Sequence, residues 1–226
     1  MGSPLAGEWV AVNTPAERIP SHGTHYFGQT YAFDFARLNQ RGTGFSAWGV
    51  GRHFFSFVHA ESFAAWDAPV HAAFDGEVIA VGDDYPDRLR INALWQMLRS
   101  NLLARRPSPL DFRPLLGNYC LVSGCPGVAL YAHLRCRSIA VRIGAQVATG
   151  QVLARVGNSG NSTMPHLHFH VMDGPDPSTA RGVPVSILDY SVLDSGAWRH
   201  VAAGVPGLMQ RFRADLPSPG TASDGV

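Results

Sequence analysis

Short apolar stretches, separated by glycine or proline, set the hydrophobic pattern of this 226-residue chain. Most of them are rich in β-branched residues or alternate apolar with polar positions, and such alternation places successive side chains on opposite faces of a strand. The pattern therefore predicts a mainly β protein built on an antiparallel β-sheet or sandwich. The predicted strands cover residues 31–36, 76–81, 119–122, 128–134, 151–156 and 167–172.

Residues 88–106 break this pattern, because Ile91, Leu94, Trp95 and Leu98 recur at helical spacing. They predict an inserted amphipathic helix. Its arginines would also suit a helix lying on a membrane surface. The favoured interpretation is an apolar face packed on the sheet, with the arginines in water.

The chain has the length of one compact domain. We expect this domain over residues 25–205, with an insertion at about 87–116 that contains the helix. Residues 1–24 are expected to pack on the domain as an N-terminal segment. Residues 206–226 are small, polar and rich in proline and glycine, so they are expected to be a disordered tail.

The composition excludes several classes of function. All 18 basic residues are arginine, so a P-loop, a Schiff-base enzyme and a biotin carrier would lack the lysine that each needs. A net charge of +1 gives no field that would draw the chain onto nucleic acid. No apolar run approaches the thickness of a bilayer, so no transmembrane anchor is expected. No secretory signal is visible in this sequence, which leaves open that one was removed or that none existed.

The cysteines, Cys120, Cys125 and Cys136, are odd in number and lack the paired spacing of a zinc ribbon. We expect them to be free and buried. One disulfide with a leftover thiol is the alternative for an exported protein, because an oxidising compartment would preserve it.

The most informative segment is GNSGNSTMPHLHFHV, in which His166, His168 and His170 alternate with apolar residues. On a strand the three imidazoles share one face while the apolar side chains anchor the other. A single surface histidine would need no explanation, but three in alternation beside a turn suit a metal site. Catalytic zinc usually has three protein ligands and an open position for water, so a second segment should contribute.

Asp34 is the only charged residue of the predicted strand 31–36. A carboxylate among apolar neighbours is costly unless it is paired with a cation or a metal, and an arginine is the ordinary partner. His25 lies nine residues upstream across a glycine-containing loop, a spacing that allows both groups to approach one ion.

A third source of imidazole is the segment ALYAHLR. Alternation predicts that Tyr131, His133 and Arg135 share one face of the strand. Taken alone, such a histidine is more often a hydrogen-bonded structural residue. Together with the other two segments, however, His133 is expected to line the same groove.

The segments HYFGQTYAFDF, YAHL and GNSGNSTMPHLHFHV, in this order, resemble the three signature blocks of the lysostaphin-type, LytM-like zinc metallopeptidases. The resemblance covers roughly residues 25–175. It implies the fold of the lysostaphin-type peptidase domain and one zinc ion per chain.

Carried over by position, the resemblance implies that His25, Asp34 and His168 bind zinc, with water in the fourth place. His22 competes with His25 because it also precedes Asp34, and His25 is preferred.

The resemblance also assigns His133 and His166 as catalytic residues that are not ligands. They would polarise the water and stabilise the tetrahedral intermediate. His170 extends the row beyond the usual motif and is expected beside the site rather than on the metal.

The expected function is therefore a zinc-dependent endopeptidase that hydrolyses peptide bonds of bacterial cell-wall peptidoglycan, outside the cytoplasmic membrane. The chain has neither the HExxH motif of the helical zinc peptidases nor a GxSxG nucleophile elbow. The alternative is a non-catalytic LytM-like module that binds peptidoglycan or regulates a partner. The sequence leaves the oligomeric state open.

Overall fold

The computed structural model describes residues 1–47, 56–104 and 112–216. Within them the chain is mainly β, as the sequence predicts. The helices are α1 (Ala93–Ala104) and α2 (Arg113–Leu116), with two 3₁₀ turns at Tyr26–Tyr31 and Ala60–Ser62. The strands are β1 (Gly7–Asn13), β2 (Phe33–Ala36), β3 (Val58–His59), β4 (Pro69–His71), β5 (Gly76–Gly82), β6 (Arg90–Ile91), β7 (Asn118–Gly124), β8 (Val128–Leu134), β9 (Gln146–Val147), β10 (Val152–Arg155), β11 (Leu167–Met172), β12 (Gly182–Val183), β13 (Ile187–Asp194), β14 (Ala197–Gly204) and β15 (Arg211–Ala214).

An 11-stranded sheet organises the fold, in the order β14, β13, β15, β1, β2, β11, β8, β7, β5, β9, with β12 also paired to β11. The paired strands run antiparallel. Two small sheets, β4 with β10 and β3 with β6, contain the other paired strands among the described residues. This order brings β2, β11 and β8 side by side, so the three chemically informative segments become neighbours.

Aromatic side chains fill the core on one face of this sheet. Phe33 and Phe35 stack with their ring centroids 5.2 Å apart, and Phe35 meets Phe212 edge to face at 5.4 Å. Phe169 lies 5.2 Å from the ring of Tyr131. All five are fully buried. Because side chains alternate along a strand, the polar residues between these aromatics on β2 and β11 face the other side of the sheet.

The strand predictions hold best where the apolar alternation is regular. Residues 128–134 and 167–172 coincide with β8 and β11, and the other four predicted strands overlap β2, β5, β7 and β10 with shifted ends. The sequence pattern did not reveal β1 or the three C-terminal strands.

The expected tail from residue 206 is wrong for its first part, because Arg211–Ala214 forms β15 between β1 and β13. Phe212 and Ala214 face the core and are buried. Four residues between proline- and glycine-rich flanks carry too little periodicity to stand out as a strand. Residues 217–226 of the predicted tail lie outside the described residues.

The N-terminal segment is part of the sheet rather than a layer packed on it. β1 lies between β15 and β2, and Trp9 and Ala11 contribute to the main core. The boundary expected at residue 25 therefore cuts through the domain. This matters for the site, because the turn that follows β1 carries His22.

The predicted inserted helix is present as α1, but its packing differs from the expectation. Leu94, Trp95, Met97 and Leu98 are each more than half exposed, while the polar Gln96 is buried. Gln96 faces inward because its side-chain oxygen accepts a hydrogen bond from Arg88 at 3.2 Å. Predicted helix residues 105 and 106 lie outside the described part of the chain. In that described part, no helix combines the length and apolar character needed to cross a membrane.

The three cysteines are free thiols, as expected. Cys120 lies in the core, and burial raises the pKa of its thiol to about 12, so it stays protonated at neutral pH. Cys125 is exposed and Cys136 is only partly buried. The expected burial therefore applies to Cys120 alone.

Candidate metal and catalytic site

Asp34 and His168 form the centre of the site. They are directly opposite each other in the antiparallel pairing of β2 with β11, and the imidazole Nδ1 of His168 donates to Oδ1 of Asp34 at 2.8 Å. Both side chains are largely buried. The sheet register fixes this contact, because the aromatic neighbours of each residue are anchored in the core.

His22, rather than His25, reaches the carboxylate of Asp34. Its Nε2 donates to Oδ2 of Asp34 at 2.9 Å, and its ring centroid lies 4.9 Å from that of His168. His25 is exposed, and its Nδ1 lies 3.1 Å from the hydroxyl of Thr30. The preference for His25 is therefore corrected. His25 occupies the N-cap position of the 3₁₀ turn Tyr26–Tyr31 without a side-chain capping hydrogen bond, and it does not line the groove that contains Asp34.

The three groups on His22, Asp34 and His168 are close enough to share one ion. One ligand atom from each lies within 4.8 Å of the others. Two imidazoles and one carboxylate are a common donor set for catalytic zinc, so the residues present fit a zinc ion.

His166 and His170 extend the row on the same face of β11, as the alternation predicts. His166 is buried, with Nδ1 donating to the carbonyl of Met164 at 2.7 Å. Its Nε2 lies 3.5 Å from Oδ1 of Asp34. His170 is completely buried behind His168.

His133 reaches the site through a β-bulge in β8. Ala132 pairs with Tyr119 and Leu134 pairs with Asn118, which leaves His133 as the extra residue, with a φ of 61°. The bulge turns its ring away from the face that strict alternation predicts. Tyr131 stays in the core. The prediction that Tyr131 and His133 share one face of the strand is therefore wrong.

The bulge brings the His133 ring next to the other imidazoles. Its centroid lies 4.8 Å from that of His166 and 5.7 Å from that of His168. Its Nδ1 donates to the carbonyl of Ser159 at 3.0 Å. The site therefore gathers both residues that were predicted to be catalytic.

The loop before β11 is held by the base of the insertion. The guanidinium of Arg88 donates to the carbonyls of Gly160 and Ser162, and Asp87 accepts a hydrogen bond from the amide of Asn158 at 2.7 Å. The same loop supplies the Ser159 carbonyl that orients His133. Arg88 therefore fixes the backbone that positions the catalytic candidates.

Glycine allows this loop to sit close against the end of α2. A Cβ on Gly160, whose φ is +66°, would overlap the backbone of Gly117, and the reverse is also true. The hydroxyl of Ser159 accepts a hydrogen bond from the Asn118 amide at 2.9 Å and ties the loop to β7.

Electrostatics distinguish the groups in the site. Burial favours the neutral acid of Asp34, but the imidazoles of His22 and His166, with hydrogen bonds from His166 and His168, hold the pKa of Asp34 well below its usual range. Burial, helped by two neighbouring imidazoles, lowers the pKa of His133 well below its ordinary value. Burial also acts against the charged form of His166, yet the carboxylate of Asp34 leaves the pKa of His166 raised.

These residues line a groove of about 660 Å³. Apolar and aromatic side chains from the turn after β1 and from α2 face the polar row across it. Such a groove has the size to hold an extended peptide segment. Its lining includes Asn13, His22, Thr24, Tyr26, Phe27, Gln29, Asp34, Leu115, Leu116, His133, Asn161, Thr163, His166 and His168.

Sequence reasoning missed two residues that support this site. Asn13, at the end of β1, donates to Oδ2 of Asp34 at 3.1 Å, and Arg88 clamps the loop described above. Nothing near Asn13 in the sequence signals this role, since it depends on strand order. Arg88 could have been suspected because it begins the insertion beside the acidic Asp87.

The segment that carries four of the histidines also has a recognisable family pattern. Residues 112–180 match the model of peptidase family M23, and this part contains His133, His166 and His168. The match confirms the resemblance to the lysostaphin-type peptidases. Among curated proteins, none matches the chain significantly.

Solved structures of peptidases are similar to the chain as well. The catalytic domain of a mutant of the prophage-encoded M23 protein EnpA from Enterococcus faecalis is 19% identical, with 81% of this chain and 90% of that chain covered and a TM-score of 0.43. The catalytic domain of the antimicrobial peptidase lysostaphin from Staphylococcus simulans is 19% identical, with 71% and 86% covered and a TM-score of 0.38. A zinc-containing peptidase from Vibrio cholerae is 22% identical, with 67% and 48% covered and a TM-score of 0.33.

Proposed function

We propose that this protein is a zinc-dependent endopeptidase that cleaves peptide bonds of bacterial cell-wall peptidoglycan. The observation that carries the proposal is the convergence of His22, Asp34 and His168 in a groove that His133 and His166 also line. The M23 family match supports a peptidase, and the peptidoglycan substrate follows from the resemblance to lysostaphin-type enzymes.

The proposed ligands are His22, Asp34 and His168. His22 replaces His25 in this proposal because its imidazole contacts the carboxylate, whereas that of His25 bonds Thr30. Two neutral imidazoles and one carboxylate would leave a bound Zn²⁺ with a net charge of +1. When bound, zinc supplies Lewis acidity, which polarises a peptide carbonyl and lowers the pKa of a bound water to about 7.

His133 is proposed as the proton acceptor. Its Nδ1–H is engaged by the Ser159 carbonyl, so Nε2 carries the lone pair. The depressed pKa keeps the ring neutral at physiological pH. A neutral imidazole at the wall of the groove can accept a proton from water and pass it to the leaving amine.

His166 is proposed as the donor that stabilises the tetrahedral oxyanion. Its Nδ1–H is bonded to the Met164 carbonyl, which fixes the ring. The carboxylate of Asp34 raises the pKa of His166 and so favours the imidazolium, which also carries a hydrogen on Nε2; that nitrogen lies on the Asp34 side of the groove. A fixed donor at this position needs no reorganisation as negative charge develops, which is the basis of oxyanion stabilisation.

The proposed substrate also gives a proposed location. Peptidoglycan lies outside the cytoplasmic membrane, so we infer an extracytoplasmic site of action. An extended peptide would lie along the groove, with its scissile carbonyl between His133 and His166. The rival is a non-catalytic module that uses the same groove to bind cell-wall peptides.

The test combines zinc content with hydrolysis of purified peptidoglycan. Wild type should contain about one zinc per chain and release soluble peptides. His168→Ala should lose both properties, while His200→Ala, a change at an exposed histidine on β14, should keep both. Zinc without hydrolysis would favour the binding module. No zinc in the wild type after reconstitution would refute the metallopeptidase.

A further inference from the structure

His170 is a buried histidine that lies outside the proposed ligand set. It is the third imidazole of the row on β11 and has no exposed surface. Its Nδ1 lies 3.1 Å from Nε2 of His168, and the two rings meet edge to face with centroids 5.2 Å apart. The contact is therefore within hydrogen-bond distance and shielded from water.

The geometry of His168 explains why such a partner matters. Its Nδ1 faces Asp34, so Nδ1 is the nitrogen directed at the shared ligand position. A neutral imidazole that offers the Nδ1 lone pair to a metal must carry its hydrogen on Nε2. Because Nε2 is buried, this hydrogen needs an acceptor, and the lone pair of His170 Nδ1 is in place to accept it.

The other side of His170 is also closed. Its Nε2 is buried, lies near the carbonyl of Phe27 without reaching hydrogen-bond geometry, and has no other partner within the described ranges. The loop that covers it approaches closely through Gly28, whose φ is +69°. A Cβ there would lie 2.5 Å from Cγ of Met172 and 3.5 Å from Nε2 of His170.

A buried imidazole with one unsatisfied nitrogen is costly, by about 1–3 kcal/mol for a neutral polar group. An apolar side chain of similar size would avoid that cost and pack against Met172. Packing alone therefore does not account for a histidine at position 170. The hydrogen bond between its Nδ1 and His168 gives a better reason for the imidazole.

We propose that His170 is a positioning residue: when zinc replaces the hydrogen that His168 Nδ1 shares with Asp34, His170 Nδ1 accepts the Nε2–H of His168 and thereby holds His168 Nδ1 toward the metal. The inference rests on the proposed zinc site. Both His168 and His170 stay neutral in this arrangement. Each ring carries its single hydrogen on Nε2. Hydrogen-bond partners of this kind around metal-binding histidines typically change metal affinity by about 10- to 100-fold when removed.

The test measures zinc affinity by competition with a chromophoric chelator for wild type and three variants. His170→Phe and His170→Leu remove the acceptor, and each should weaken zinc binding by about 10- to 100-fold. His170→Asn places a side-chain oxygen near the Nδ1 position, so it should bind zinc within a few-fold of wild type. Circular dichroism of the zinc-free variants checks that each is folded.

Nitrogen NMR of the zinc-loaded wild type supplies a readout that does not depend on any variant. It should show His168 protonated on Nε2, with that proton hydrogen-bonded to His170. Equal zinc affinity in wild type and folded His170→Phe or His170→Leu, or a His168 whose Nε2 is not bonded to His170, would overturn the inference. A wild type that binds no zinc would instead refute the proposed function.

Discussion

The Nδ1 of His168 and the Oδ1 of Asp34 are 2.8 Å apart across one pair of antiparallel strands, although 134 residues separate them in the chain. The register of β2 against β11 makes this contact, and the phenylalanines beside both residues lock that register into the core. The rigid part of the site is therefore set by sheet packing. The third member, His22, comes from the turn that follows β1.

The first prediction concerns the two histidines that are proposed to act without binding metal. His133→Ala and His166→Ala should each keep about one zinc per chain, because neither belongs to the ligand set. Each should lower the turnover of peptidoglycan by about 10²- to 10⁴-fold, the usual contribution of a positioned acid or base. Elemental analysis and hydrolysis rates on the same samples check this. Loss of zinc in either variant would show that the residue is a ligand.

The second prediction concerns Arg88, the clamp on the loop before β11. Burial lowers the pKa of its guanidinium to about 10, so it remains charged at neutral pH. Arg88→Met should destabilise the protein by about 2–4 kcal/mol, since two carbonyls and Gln96 lose a charged donor. It should also reduce turnover with little loss of zinc. Urea unfolding measures the loss of stability. The control is Arg142→Met, a change at an exposed arginine elsewhere on the surface. Equal stability of the Arg88→Met and Arg142→Met variants would contradict the proposed role of Arg88 in holding the loop.

The third prediction tests the C-terminal strand. Phe212 is fully buried against Phe35 and Tyr190, so Phe212→Ala should lower the free energy of unfolding by about 3–5 kcal/mol. Met209→Ala removes a half-exposed side chain just before the same strand and should change stability by less than about 1 kcal/mol. Similar melting curves for the two variants would mean that β15 is not part of the folded core.

The fourth prediction is that the metal-free protein loses stability as the pH falls from 7 to 5. Burial lowers the pKa values of His133, His168 and His170 in the folded state. Below about pH 6.5 the unfolded chain therefore binds protons that the folded chain does not, which favours unfolding. His166 acts in the opposite direction only around and above pH 6.5, because its folded pKa is raised and the folded chain takes up that proton first.

At the acid end of this window His166 is protonated in both states, so the three groups with lowered pKa values decide the slope. The slope should rise toward a limit of about 4 kcal/mol per pH unit. The depressed pKa of Asp34 adds a further loss only below about pH 4. Urea unfolding in the presence of a chelator, at intervals between pH 7 and 5, measures the slope. A stability that is constant or rises toward pH 5 would contradict the lowered pKa values of the three buried histidines.

The sequence predicts those features that depend on local periodicity. The regular alternation of 167–172 anticipates β11 and the common face of its histidines, because one side of that strand is uniformly apolar. The same reasoning finds Asp34, a lone charge in an apolar strand. Strands such as β15 are too short for a periodic signal, and only the packing of Phe212 reveals why they form.

Local irregularities explain the remaining differences at the site. His133 points to the groove because a bulge adds one residue to β8, and no pattern of apolar residues encodes that bulge. The choice between His22 and His25 depends on a 3₁₀ turn that contains two left-handed residues, Phe27 and Gly28. Such a turn changes the direction of the chain without changing the spacing, so the sequence favoured His25 where the structure places His22.

The most direct test of the account is the zinc content of His22→Ala and His25→Ala, measured side by side with wild type after reconstitution with Zn²⁺. Both histidines lie in the same segment, so each variant is a control for the other. We expect about one zinc in wild type and in His25→Ala, and a large loss in His22→Ala. Zinc retained by His22→Ala and lost from His25→Ala would contradict the proposed ligand set.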